Sequence, residues 1–343
     1  MKAVVLTGHG GPEVLQVQER PEPAVGRGEV RIAVKAAGLN FADTMARVGL
    51  YPDAPKPPCV LGYEVSGEVE SVGEGVDSVK VGDRVVAGVR FGGHAELVTV
   101  PEDQVLPLPD RLSFEQGAAV PVNYATAYCA LVVMAGLKSG ERALIHAAAG
   151  GVGTAAVQIA RHHGAEVFGT ASASKHDAIR ELGVAHAIDY RTQDFEQEVM
   201  RLTDGKGVDV VIDATGPTNF RKDYRVLRQG GKLVMYGLSE ASAGTGRDVR
   251  KLIGSLARMP FATLPWWKSL QLMNENKGVF GLNMLHWWDR EGDVTRITGP
   301  LIEELEEGGL EPVVAESFPF ERAGDAHQLI GERRNIGKVV LAP

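Results

Sequence analysis

Cysteine is nearly absent from this chain of 343 residues: Cys59 and Cys129 are the only two. Two cysteines build neither a disulfide framework nor a cysteine-based zinc lobe, and they point to a reducing, cytosolic setting. Basic clusters are missing as well. Lys and Arg number 36 against 44 Asp and Glu, a net charge of −8, and the cations are scattered. Nucleic acid would require a basic stripe, so it is excluded as a partner. Long apolar runs are also lacking: the longest nearly uncharged stretch, Tyr124 to Gly136, is too short to span a bilayer. Met1-Lys2 followed by Ala3 to Leu6 lacks the apolar length of a signal peptide. Charged residues at 23% and apolar residues at 44% are ordinary for a folded chain and argue against disorder.

What is abundant is glycine, with 42 residues, and it is patterned. Up to about residue 120, short apolar runs alternate with Pro- and Gly-rich turns: Val30 to Ala36, Val65 to Val72, Asp83 to Val89, Ala95 to Val100. That texture predicts a β-rich domain with exposed loops. From Tyr124 the runs Arg142 to Ala147, Glu166 to Thr170, Ala187 to Asp189, Val208 to Ile212, Lys232 to Tyr236 and Gly278 to Leu282 alternate with helical segments. Such alternation predicts βαβ units and a doubly wound parallel sheet, hence an α/β fold. A last stretch carries a helix near Pro300 to Glu307 and a final strand, Lys338 to Leu341.

The strand ending Ile145-His146 runs into Ala147-Ala148-Ala149-Gly150-Gly151-Val152-Gly153 and then a helix of small apolar residues, Thr154 to His162. Strand, glycine-rich turn and helix start in that order form a dinucleotide site, where backbone amides and the helix dipole meet a pyrophosphate. Gly150, Gly151, Val152 and Gly153 are the candidate contacts, although Ala148 replaces the first glycine of the usual pattern. The following strand ends Gly169-Thr170-Ala171-Ser172-Ala173-Ser174-Lys175, without the acid that would bind the ribose hydroxyls of NAD. Ser172 and Lys175 suit a 2′-phosphate instead, which favours NADPH.

The chain resembles the zinc-independent quinone oxidoreductases of the medium-chain dehydrogenase/reductase superfamily. The resemblance runs from Gly10-Gly11-Pro12-Glu13-Val14-Leu15 to Gly337-Lys338-Val339-Val340-Leu341. Its most specific stretches are Gly38-Leu39-Asn40-Phe41-Ala42-Asp43, Gly49-Leu50-Tyr51-Pro52 and Ala147 to Gly153; Phe168 to His176 and Asn335 to Val339 are similar to vesicle amine transport protein homologues. The resemblance implies a GroES-like catalytic domain over 1–123, a Rossmann NADPH-binding domain over 124–288, and a segment 289–343 returning to the catalytic domain. It also implies a homodimer that reduces quinones or activated enones. Asn40 would orient the nicotinamide or a substrate carbonyl, and Tyr51 would either donate a hydrogen bond to the developing oxygen or serve as an aromatic wedge closing a Pro-rich loop. Phe41, Asp43, Thr126 and Tyr128 would lie near the nicotinamide half, while Tyr190, Arg333 and Asn335 would complete the phosphate and ribose contacts.

Related alcohol dehydrogenases hold catalytic zinc on a Cys, a Gly-His-Glu motif and a second Cys. Here Gly62-Tyr63-Glu64 lacks the His, and Asn40 and Val122 stand at the Cys positions. The nine histidines, His162-His163 among them, read as structural surface residues, so no metal is expected. Without a Lewis acid an unactivated alcohol lacks its alkoxide stabiliser, whereas a quinone or enone is already electrophilic. All four tryptophans fall in two pairs, Trp266-Trp267 and Trp287-Trp288, around the run Gly278 to Leu282. Core or dimer packing, an apolar substrate wall and a lipid contact each account for them. The lipid contact leaves a second reading open, a nucleotide-bound lipid-binding protein with vestigial activity.

Overall fold

The computed structural model describes residues 1–242, 269–288 and 293–343. Among them, Met1–Ala125 with Leu285–Pro343 form one compact unit, and the residues from Thr126 to Met284 form a second.

The first unit is β-rich. Its larger sheet orders Val314–Pro319, Lys338–Ala342, Glu29–Leu39, Glu64–Val72, Arg84–Gly88 and Val105–Pro107, with Leu97–Pro101 pairing Glu29–Leu39 off that path. A smaller sheet orders Leu15–Glu19, Lys2–Leu6 and Cys59–Val60. Val30, Ile32 and Val34 recur at the strand period of two, so they share a face with Val65, Val69, Val85, Val98 and Val100 in one core cluster. The last strand pairs antiparallel with Glu29–Leu39, which sets Val340 against Gly38. That pairing carries Lys338 to the side chains described below.

The second unit holds a six-stranded sheet ordered His186–Asp189, Glu166–Ala171, Arg142–Ile145, Val208–Asp213, Leu227–Met235, Gly278–Gly281. Every neighbouring pair is parallel. Val208–Asp213 is buried along its whole length, as a central strand covered on both faces must be. The chain order reverses between Arg142–Ile145 and Val208–Asp213, the crevice where doubly wound sheets bind ligands. The doubly wound sheet read from the sequence is therefore present, beside a separate β-rich unit.

Three elements depart from expectation. The strand expected at Lys232 begins at Leu227, because an irregular register around Gly230-Gly231 breaks the period that the sequence reading relied on. The helix expected at Pro300 begins at Asp293 and runs through the proline. A helical path Phe114–Met134, 21 residues at mean hydropathy 1.4, is long and apolar enough to cross a membrane, contrary to the reading of that region. Burial of 78% of its apolar window inside the protein makes it a core helix. Of the tryptophans, Trp266 and Trp267 lie outside the described residues, and Trp287 is half-buried in the short helix Met284–Trp288.

Candidate nucleotide and catalytic sites

In the second unit, the central strand Arg142–Ile145 leads through a tight turn into the helix Gly151–His162. Gly150 is the N-cap, and no side chain caps the helix, so the amides of Gly151, Val152 and Gly153 are orphan donors at its positive end. The turn closes through Gly150 N–H donating to the Ala147 carbonyl at 2.8 Å. Position 153 tolerates only glycine: a Cβ there would stand 2.1 Å from the Ala147 oxygen. The cradle thus fits a pyrophosphate by the backbone alone.

The first residue of that cradle is strained. Ala147 has φ +52°, a left-handed conformation that costs an alanine about 1–2 kcal/mol. Two bonds to one neighbour oppose the strain. Ala147 N–H donates to Thr170 Oγ1 at 3.3 Å, and Ala148 N–H donates to the Thr170 carbonyl at 3.0 Å. Behind Thr170 stands His146, fully buried, with Nδ1 3.0 Å from Thr170 Oγ1 and Nε2 2.8 Å from Asp223 Oδ1. The Phe195 ring meets the imidazole edge-on at 4.6 Å between centroids. Burial pulls the imidazole down, but Asp223 and Asp213 outweigh it and the net direction is up. Asp213 itself is pushed up to about 7, first by burial.

Ser172 follows the strand Glu166–Ala171 and is buried, its Oγ 3.3 Å from Ser174 Oγ, while Lys175 is half-exposed one turn on. The neighbouring strand does end in an acid, Asp189, but its oxygens accept from Arg191 N–H and Thr192 Oγ1. Tyr190 is 45% exposed beside it. Thr126 and Tyr128 are buried in the turn Ala125–Tyr128, where Tyr128 meets His163 edge-on. Arg333 and Asn335 belong to the first unit. Arg333 has φ +55°, and Asn335 Nδ2 donates to the Gly337 carbonyl at 2.8 Å.

The first unit holds a buried polar centre. Asn40 is the N-cap of the helix Phe41–Arg47, and Asp43 reaches back to accept its N–H at 2.8 Å. The other Asp43 oxygen accepts from Gly62 N–H at 3.1 Å. Asp43 is fully buried, is pushed up to about 7 by that burial, and holds the two backbone amides of Asn40 and Gly62. Gly62 has φ +101°, and a Cβ on it would lie 2.6 Å from the His94 ring. Asn40 Nδ2 donates to Glu64 Oε1 at 2.9 Å, and Glu64 Oε2 accepts from Val122 N–H at 2.7 Å. The Lys338 ammonium completes the centre, donating to Asn40 Oδ1 at 2.7 Å and to Glu64 Oε1. Phe41 packs on the core cluster around Leu39, Phe318 and Leu341. Tyr51 meets Tyr63 edge-on at 6.2 Å, and Tyr63 lies 5.0 Å from Phe91. Burial pushes the Tyr51 phenol up to about 12.

The expectation of surface histidines is corrected at three positions. His94, His146 and His327 are buried at 1% exposure or less. His146 was legible in principle, since it closes the otherwise apolar run Ala143-Leu144-Ile145 of a central strand. Lys338 was too, as the one cation of the final strand, at its first position.

Comparison with known proteins settles the family. The alcohol dehydrogenase GroES-like domain matches residues 26–110, and the zinc-binding dehydrogenase domain matches residues 151–258. The synaptic vesicle membrane protein VAT-1 homolog of Rattus norvegicus is 41% identical, covering 100% of this chain and 84% of that protein. The chain belongs to the medium-chain dehydrogenase/reductase superfamily. Within this superfamily, the crystal structure of the human VAT-1 homolog-like protein aligns at TM-score 0.85 and 35% identity, over 100% of this chain and 98% of that one. The Escherichia coli quinone oxidoreductase complexed with NADPH aligns at TM-score 0.85 and 31% identity over 100% of both chains. CurK enoyl reductase aligns at TM-score 0.85 and 29% identity over 99% and 98%.

Superfamily members with catalytic zinc need several N or S ligands converging on the ion. The residues here do not fit that ion. Asn40 offers an amide already bonded to an ammonium, Tyr63 stands where the motif has His, and Val122 contributes only its N–H. Among the described residues no group of three His, Cys, Asp or Glu side chains converges.

Proposed function

We propose that the protein is an NADPH-dependent, zinc-independent reductase that transfers hydride to a quinone or activated enone. The observation that carries this reading is the Lys338 ammonium held between Asn40 and Glu64, with Asn40 at a position that the resemblance assigns to a zinc ligand in related alcohol dehydrogenases. An acceptor that needs no Lewis acid matches that centre.

NADPH, when bound, supplies the hydride. The amides of Gly151, Val152 and Gly153 hold its pyrophosphate, and Ser172 and Lys175 bind the 2′-phosphate. Tyr190, Arg333 and Asn335 add the ribose and phosphate contacts. By the resemblance, Phe41, Thr126 and Tyr128 would hold the nicotinamide half, with Asp43 acting through the Asn40 and Gly62 amides that it fixes. Asn40 has one Nδ2 hydrogen committed to Glu64, and its other hydrogen donates to a substrate carbonyl. Tyr51, protonated well beyond neutral pH, donates to the oxygen that gains charge. Positioning of the acceptor then accounts for most of the rate. The working form is a homodimer in the cytosol.

The test is NADPH oxidation at 340 nm over a panel of quinones and enones, with and without a chelator. Turnover untouched by the chelator is expected. Activity that a chelator abolishes and zinc restores overturns the reading, as does inertness toward the whole panel.

A second reading, a nucleotide-bound lipid-binding protein with vestigial activity, draws on the helix Ser269–Glu275. Leu270 and Met273 share a face there and are each 69% exposed. Liposome co-sedimentation with and without NADPH, set beside turnover, separates the two.

A further inference from the structure

Hydride transfer as proposed makes no use of the buried chain Asp223–His146–Thr170. Yet that chain ends on the most strained residue of the phosphate cradle. Ala147 is exposed at φ +52°, and its N–H reaches inward to a single partner, Thr170 Oγ1. The Thr170 side chain is oriented in turn by His146 Nδ1 at 3.0 Å, and His146 is fastened on its far side by Asp223 at 2.8 Å. The residues come from three elements of one unit: the turn after Arg142–Ile145, which holds His146 and Ala147, the strand Glu166–Ala171, which holds Thr170, and the helix Pro217–Val226, which holds Asp223. The Ala147 carbonyl then accepts Gly150 N–H and lies against Gly153, so its peptide sets the aim of the amides that follow.

We propose that His146 is a positioning residue for the nucleotide, holding Ala147 through Thr170 in the left-handed conformation that aims the phosphate-binding amides. This rests on the nucleotide site argued above and adds to it the residue that shapes it. The competing role is purely structural, with His146 present only to partner the buried carboxylate of Asp223 beside Asp213.

Two conservative variants separate these roles, because asparagine places its amide where Nδ1 stands and glutamine places its amide where Nε2 stands. His146→Asn keeps the Thr170 contact and His146→Gln keeps the Asp223 contact. NADPH affinity is read by fluorescence titration of the unaltered full chain and of each variant. His146→Gln should weaken binding about tenfold, the worth of one hydrogen bond, while His146→Asn stays within about twofold. Adding Ala147→Gly to His146→Gln should restore the affinity, since glycine adopts the left-handed conformation without a clamp. In the nucleotide-free protein, exchange of the Ala147 amide with solvent should quicken in His146→Gln and not in His146→Asn. If His146→Gln does not fold, Thr170→Val carries the same test, with the same tenfold loss and the same glycine rescue expected. Wild-type affinity in His146→Gln, a larger loss in His146→Asn, or no rescue by Ala147→Gly overturns the proposal. Wild-type protein that binds no NADPH overturns the nucleotide site itself, while the Ala147 amide still reports on the clamp.

Discussion

Lys338 and Glu64 stand 274 residues apart in the chain and form an ion pair at 2% and 0% side-chain exposure. The pair exists because the final strand docks antiparallel on Glu29–Leu39, beside the strand that begins with Glu64. Asn40 and the Val122 amide take up the remaining capacity of the carboxylate, which is the condition for burying such a pair at tolerable cost.

Lys338→Met should therefore destabilise the protein by about 3–5 kcal/mol, because it strands a buried carboxylate. Adding Glu64→Gln removes the stranded charge and should recover at least half of the loss. Urea titrations with an unchanged m-value measure both. A single variant as stable as wild type would show the pair to be without energetic weight.

Lys175→Ala should raise the KM for NADPH about ten- to hundredfold, roughly 1.5–3 kcal/mol for a charge-assisted phosphate contact, and leave that for NADH nearly unchanged. Steady-state kinetics with the two cofactors decide it. Equal effects would mean that Lys175 does not read the 2′-phosphate.

Among the described residues, Gly278–Gly281 is the last strand of the parallel sheet and is paired on one side only, with Val279 opposite Leu233. Neither proline nor charge blunts its outer edge, so the same edge of a second copy, antiparallel about a twofold axis, is the natural cover. Light scattering should find a dimer, and Val279→Pro should shift it toward monomer. Wild-type protein that is monomeric across the micromolar range refutes this.

His94 carries a pH dependence. Burial lowers it from 6.5 to about 4, so between those values the unfolded chain binds a proton that the folded one refuses. Its contribution to stability is complete above about 6.5 and is lost as the pH falls toward 4. His327, lowered further by burial, acts in the same direction, while Asp43 and Asp213, both raised to about 7, act against it. The difference between wild type and His94→Gln isolates one group: the rise of Tm from pH 4 to 6.5 should be shallower in the variant. Parallel curves would remove His94 from the account.

Read alone, the residues settle the α/β class, the parallel sheet and the place of the phosphate turn. Each is written in a local signal: the alternation of apolar runs with helical segments, and glycines between a strand and a helix start. The loss of the zinc ligands at Asn40, Tyr63 and Val122 is legible in the same way, position by position. Only the tertiary structure decides what Glu64 and Asn40 pair with instead. A lysine in the final strand becomes the buried partner of Glu64 through strand pairing across most of the chain, and no local pattern encodes that meeting. The same holds for His146, whose place under the phosphate turn depends on Thr170 from the next strand and Asp223 from a helix 77 residues on. Periodicity says which face of an element is buried; which polar side chains meet on buried faces is set by the sheet order, and that emerges only on folding.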